Sequence, residues 1–234
     1  MSKKYTLIMP MLSLEEDMVP IEYQYDKETG VMNCIRSLQG IDTSLFSDVY
    51  FIILKKHNDK FNVVSKIDTE LHMDREGQKF NVHYSIDFEH TKSQAETVYN
   101  CIKKYNIAGP IFIKDADNMC VCDKIYEGNT VLIYPLENTP VVDPQHKSYI
   151  NIDEQNFVTN IIEKRVISGM FNCGGYSFAD ANDFIEAYDS ILKYEDKSTH
   201  MYISHIIYWL ILNKQLKFRP IVANFYDDFS LINK

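Results

Sequence analysis

Short apolar runs alternate with stretches of helical spacing along the first half of the chain. Tyr5-Thr-Leu-Ile-Met-Pro-Met11, Val49-Tyr-Phe-Ile-Ile-Leu54 and Ile111-Phe-Ile-Lys114 are rich in β-branched and aromatic residues. Such runs suit strands covered on both faces. Val82 to Phe88 alternates and predicts another strand. Between these runs, Val31–Leu38, Phe61–Met73 and Gln94–Tyr105 predict helices. In the last of them Ala95, Val98, Cys101 and Ile102 fall on one face. Thr91 or Ser93 caps it, and Glu96 stands three places after Ser93 as in a capping box. Strands alternating with helices predict an α/β fold: a mostly parallel sheet with helices on both faces.

The second half has a different rhythm. Thr130–Pro135, Lys147–Ile152 and Phe157–Lys164 predict strands joined by turns, and Gly174–Phe178 a strand entered through two glycines. Ala181–Leu192 and His200–Asn213 predict helices. Phe218–Phe225 predicts a last strand that runs onto Tyr226-Asp227-Asp228. With no linker, repeat or low-complexity stretch, residues 1–234 are expected to form a single domain.

The strand at Ile111 stops on Asp115-Ala-Asp117-Asn118. Open α/β sheets place their ligands at the carboxyl ends of their strands. Two carboxylates there suit a divalent cation carrying phosphates, because Mg²⁺ prefers oxygen donors and is held by one or two carboxylates plus substrate. A solvated turn is the other reading of the same residues.

Composition narrows the partners. The net charge of −9 argues against a nucleic-acid backbone as main partner. An acidic protein that binds phosphates does so locally, with metal, backbone N–H groups or a few basic side chains. The five cysteines are an odd number, and Met-Ser-Lys-Lys leads into a short strand rather than a signal peptide. Reduced thiols and a cytoplasmic location are therefore expected. Cys120 and Cys122 form a C-x-C pair without a second pair at zinc spacing, which points to packing. The best apolar run, Ile203–Leu212, contains Ser204 and His205 and falls short of a membrane span.

Five fragments in order, Thr91–Thr97, Ile113–Asn118, Ile161–Lys164, Cys173–Phe178 and Val222–Asp228, give the chain its character. Together the sequence resembles the sugar-phosphate nucleotidyltransferases (nucleotide-sugar pyrophosphorylases), most of all the bacterial branch of capsule and surface-polysaccharide synthesis. The resemblance implies a GT-A-like, Rossmann-like three-layer sandwich. Residues 1–123 would be a nucleotide-binding half and residues 124–234 a sugar or acceptor half. It also implies Mg²⁺ and a nucleotidyl transfer from a nucleoside triphosphate to a sugar phosphate. By that resemblance Asp117 and Asp227 would be the catalytic metal acids, with Asp228 the fallback if the register slips by one. Asp115 and Gln94 would serve the nucleotide. Glu163, Lys164 and Gly174 would serve the sugar and its phosphate.

The resemblance breaks at one place. The family's first strand runs into a glycine-rich loop with an Arg and then a Pro-Lys pair, which wrap the triphosphate. Here Leu12-Ser-Leu-Glu-Glu-Asp-Met-Val-Pro-Ile21 has no glycine and no Arg, and Ile21 stands where the Lys belongs. Losing such a cation costs several kcal/mol of transition-state stabilisation. Lys27 or Arg36 could supply the charge. The alternatives are a degenerate homologue that binds a ligand or partner without chemistry, and a GT-A glycosyltransferase that uses a nucleotide sugar. The apolar helix near residues 200–212 could pack internally or form a homodimer contact.

Overall fold

The computed structural model describes residues 4–12, 18–73, 80–125, 127–139, 143–194 and 200–231. Among them the first half forms β1 (Tyr5–Met11), α1 (Asn33–Gln39), β2 (Phe46–Leu54), α2 (Lys55–Phe61), α3 (Val63–Met73), β3 (Asn81–Asp87), α4 (Gln94–Tyr105), β4 (Ile111–Lys114) and β5 (Asn118–Val121). The second half forms β6 (Thr130–Pro135), β7 (Ser148–Ile152), β8 (Val158–Glu163), β9 (Met170–Phe178), α5 (Ala181–Tyr194), α6 (Ile203–Lys214), β10 (Arg219–Val222) and β11 (Phe225–Asp228).

The main sheet runs β10-β6-β9-β4-β1-β2-β3, with β7 and β8 joined to it beside β9. Strands β3, β2, β1 and β4 are parallel, so their carboxyl ends share one edge of the sheet. β9 runs antiparallel between β4 and β6, so strands from both halves form one sheet. A core on one face takes Cys34 and Leu38 of α1 and Val63 and Ile67 of α3. The core on the other face takes Val98 of α4, Phe184 of α5 and Ile207 of α6. The result is the expected α/β sandwich of three layers around a mostly parallel, mixed sheet.

Three departures from the sequence expectation have local causes. The helix predicted over Phe61–Met73 is α3, which begins at Val63: Asn62 adopts φ 56° and separates it from α2, a helix the sequence reading left out. Asn tolerates the left-handed region better than most residues. The predicted helix at His200 begins at Ile203. The apolar run from Phe218 is not one strand. It breaks after Val222, and Phe225–Asp228 leaves the main sheet to pair antiparallel with β5. This two-stranded ribbon stands just past the carboxyl end of β4, and its position decides where Asp227 and Asp228 point.

Gly40 seats the ribbon against α1. A Cβ at Gly40 would lie 2.1 Å from the carbonyl oxygen of Cys120, and the Cys122 N–H donates to the Gly40 carbonyl at 2.9 Å. Backbone meets backbone there, so a methyl group has nowhere to go. Gly40→Ala is expected to cost about 1–3 kcal/mol and lower the melting temperature by several degrees. Gly169→Ala, at a site with open space around the Cβ, should leave it unchanged. Thermal unfolding followed by circular dichroism measures both; equal melting temperatures for the two variants would contradict this packing.

Candidate active site

The site begins with Lys114, the last residue of β4 and fully buried. Its Nζ donates to the carbonyl of Asp115 at 2.8 Å, the carbonyl of Asn118 at 3.0 Å and Asn118 Oδ1 at 2.8 Å. An ammonium has three hydrogens, and all three are used. They staple the turn 115–118 into a fixed loop. Burying a charge is costly unless it is hydrogen-bonded and balanced, and the two carboxylates of the same loop supply the balance.

Gly174 closes the loop from the neighbouring strand. Its carbonyl accepts from the Asp115 N–H at 2.9 Å, and its φ is +83°. A Cβ there would lie 2.5 Å from Asn118 Nδ2 and 2.7 Å from Asp115 Oδ2. Both the dihedral and the contact require glycine. Asn172 holds the bend, since its Oδ1 accepts from the Gly174 N–H at 2.9 Å.

These elements open onto a cleft of about 610 Å³ at the carboxyl ends of the parallel strands. That is a normal size for a small-molecule site. Gln94, Asp115, Asp117, Glu163, Lys164 and Gly174, all singled out from the sequence, line it together. Gln94 opens α4, where Ser93 caps the helix by accepting from the Glu96 N–H. Its Nε2 donates to Asp115 Oδ1, so Gln94 holds an acid of the site. Asp117 is exposed to the cleft, and its Oδ1 accepts from Asn118 Nδ2 at 2.9 Å.

Asp227 does not join them. It is not among the residues that line the cleft; its Oδ2 lies 3.1 Å from Arg36 Nη2. Successive residues of a strand face opposite ways, so it is Asp228 that turns into the cleft. There its Oδ2 lies 2.7 Å from Lys147 Nζ, and Lys147 also donates to the Tyr226 hydroxyl at 2.6 Å. Of the two adjacent acids, Asp228 and not Asp227 lines the cleft. Arg36 is committed to Asp26 and Asp227, and Lys27 is exposed and not among the cleft-lining residues. Neither supplies the charge missing from the loop after β1. Of that loop, residues 13–17, with Glu15, Glu16 and Asp17, lie outside the described residues. Pro10, Leu12, Ile21 and the buried Glu22 line the cleft on that side.

The opposite wall comes from the second half. Lys164, held at φ +57°, donates from Nζ to the Tyr202 hydroxyl at 2.6 Å, and Glu163 Oε2 accepts from Ser204 Oγ at 2.8 Å. Burial pushes the Glu163 carboxyl up, against the pull of Ser204, Lys164 and Lys147. His146, Lys147 and His200 also face the cleft. Lys114, Lys147 and Glu22 escaped the sequence reading. Only Lys114 carried a signal, a lysine that closes an apolar strand beside two acids.

The acids sit in an unbalanced field. Burial and then the charge of Asp117 push the Asp115 carboxyl up to about 6, against Lys114 and Gln94. Asp228 is different: burial raises it, but Lys147 and hydrogen bonds from Lys147 and Ser230 leave it below the ordinary carboxylate value. Carboxylate oxygens crowded this way are the hard donors that Mg²⁺ takes. Among the described residues no group of three or more His, Cys, Asp or Glu side chains forms a metal cluster. A cation shared between two carboxylates and a phosphate does not require one.

Asp115 gives a stability prediction. The folded chain keeps the Asp115 proton up to about pH 6, while the unfolded chain releases it near the ordinary value of 3.8. Stability therefore falls as pH rises between those values, and the penalty is complete above them. In metal-free buffer at pH 8, Asp115→Asn should be more stable than the parent by on the order of 3 kcal/mol. The gap should close below about pH 4. Urea unfolding at the two pH values measures it, and a variant less stable than the parent at pH 8 would refute the assignment.

No protein-family model matches the sequence, and no curated protein does. Solved structures do match. The chain is similar to a nucleoside-diphosphate-sugar pyrophosphorylase from Vibrio cholerae RC9, with a TM-score of 0.70 and 16% identity over 93% of this chain and 91% of that chain. It is similar to an apo UDP-glucose pyrophosphorylase, with a TM-score of 0.70 and 10% identity over 98% of this chain and 94% of that one. It is also similar to the inositol-1-phosphate CTP transferase from T. maritima, with a TM-score of 0.65 and 11% identity over 96% and 88%. Identities this low speak for the fold alone, and over nearly its whole length the chain has the Rossmann-like α/β fold of these proteins.

Proposed function

We propose that the chain is a Mg²⁺-dependent sugar-phosphate nucleotidyltransferase, working in the cytoplasm to supply polysaccharide synthesis. The observation that carries this reading is the convergence of Asp117 and Asp228 on one cleft at the carboxyl ends of the parallel strands. The first half holds the nucleotide and the second half the sugar phosphate. Proteins of the same fold carry names for that chemistry, which adds support.

In this reading Asp117 and Asp228 would hold the cation, and Asp115 would support them. The bound Mg²⁺ supplies charge neutralisation for the phosphates. Glu163, held by the buried Ser204 hydroxyl, offers hydrogen bonds to sugar hydroxyls, and Lys147 and Lys164 offer charge to the sugar phosphate. A phosphate oxygen of the sugar attacks the α-phosphorus; that P–O bond forms as the α–β bridge breaks, and pyrophosphate leaves. The chain's contribution is positioning and electrostatic stabilisation.

A second reading has one observation in its favour. Ile21 and Glu22 line the cleft beside β1, where a triphosphate would need positive charge. A nucleotide diphosphate sugar needs less there, so a glycosyltransferase or a binding protein is the alternative.

Thermal shift and pyrophosphate release separate the readings. Nucleoside triphosphate with Mg²⁺ and sugar phosphate should stabilise the parent by about a few kcal/mol at saturation and release pyrophosphate. Stabilisation by diphosphate sugars alone, without release, would favour the second reading. Asp117→Asn and Asp228→Asn should each remove the Mg²⁺-dependent shift and leave the metal-free melting temperature near the parent's. Parental metal dependence in both variants would defeat the site assignment. If the missing loop cation limits triphosphate binding, Ile21→Lys should tighten it by about tenfold, the worth of one added charge contact. Unchanged triphosphate affinity in that variant would show that the loop is not limiting.

A further inference from the structure

Arg36 lies at the C-terminal end of α1, outside the cleft, with its side chain 11% exposed. Nη1 is 3.1 Å from Asp26 Oδ2, and Nη2 is 3.1 Å from Asp227 Oδ2. The guanidinium carbon lies 4.6 Å from the centre of the Phe229 ring. The side chain thus grips the residues on either side of Asp228, one by a salt bridge and one by a cation–π contact.

One flanking residue is tied to Asp117 itself and the other to the strand that follows it. Asp227 pairs with Met119 in the ribbon, and Asp228 pairs with Asn118. The Phe229 N–H donates to the Asp117 carbonyl at 3.1 Å. Asp26 itself is anchored by the Thr29 N–H at 2.7 Å, the Thr29 hydroxyl and the Glu28 N–H, so the far end of the clamp is fixed. On α1, Asn33 Nδ2 donates to the carbonyl of Ile21, a cleft-lining residue, at 2.8 Å.

We propose that Arg36 is the positioning residue of the metal pair: it fixes the register of β11 on β5 so that Asp228 stands opposite Asp117. This rests on the reading of Asp117 and Asp228 as cation ligands. Asp227, which the sequence resemblance places on the metal, serves instead as the handle by which Arg36 holds its neighbour.

Simple electrostatics predicts the opposite result from positioning. Removing the positive charge of Arg36 near a cation site should strengthen cation binding if charge alone counts. If Arg36 positions the pair, removing it should weaken binding, by about the 10–100-fold typical of groups that orient metal ligands. The probe is Mn²⁺ alone, titrated by electron paramagnetic resonance and water-proton relaxation on the whole chain, with melting temperatures recorded beside it. Arg36→Met should bind Mn²⁺ 10–100-fold more weakly, and Arg36→Lys, which keeps one charge but not the fork, should recover part of the loss. Asp227→Asn, nearly isosteric, keeps the test open should Arg36→Met fold poorly; it should weaken binding by the same 10–100-fold, more than the loss of one screened charge outside the cleft would cause. Parental or tighter Mn²⁺ binding in Arg36→Met and Asp227→Asn, with binding lost in Asp117→Asn, would overturn the proposal while leaving the metal site standing. Parental binding in Asp117→Asn would overturn the metal site, and the positioning role with it.

Discussion

A buried ammonium is the constraint on which the site depends. Lys114 ends a strand with no access to water, so its three hydrogens must find acceptors inside the protein. It finds them in the turn 115–118, and in doing so gives that turn one shape. Gly174 fits against the turn because it lacks a side chain, and Gln94 reaches Asp115 from the start of α4. Three elements far apart in sequence are thereby fixed around two acids. A loop held this firmly keeps Asp115 buried beside Asp117, and burial, then the charge of Asp117, raise its carboxyl to about 6.

The ribbon of β5 and β11 completes the arrangement. It lies off the main sheet and could slide by a residue if only its backbone pairing held it. Arg36 grips Asp227 and Phe229, and Gly40 lets α1 press on Cys120. The cleft is lined by charges of both signs. Asp115, Asp117 and Glu22 stand beside the strand ends; Lys147 with Asp228, Glu163 with Lys164, and His146, His200 and Tyr202 come from the second half. A ligand that brings phosphates and a cation can satisfy both signs at once.

Much of this was legible in the order of residues. Buried strands show as apolar runs, and the acids at 115 and 117 stand out because they end one of them. Gln94, Glu163, Lys164 and Gly174 followed from the family resemblance and do line one cleft. What escaped was what depends on three-dimensional pairing. The run Phe218–Phe225 looks continuous, but the chain leaves the sheet after Val222, and the ribbon then decides which of two adjacent acids faces inward. Asn62, a single left-handed residue, separates α3 from the preceding α2, which the sequence reading left out. Arg36 was a candidate phosphate ligand, but it is held by Asp26, ten residues before it, and by Asp227, near the other end of the chain.

The central claim is that Asp117 and Asp228 face one another across a site for a phosphate-bearing cation. The most direct measurement is a crystal of the protein soaked with Mn²⁺ and a nucleotide, with anomalous scattering recorded to locate the metal. The account predicts one peak between the two carboxylates, at coordination distances of about 2.0–2.2 Å from the Asp117 oxygens and with phosphate oxygens completing the shell. Ordered nucleotide in the cleft with the manganese elsewhere, or with no manganese beside either acid, would contradict it.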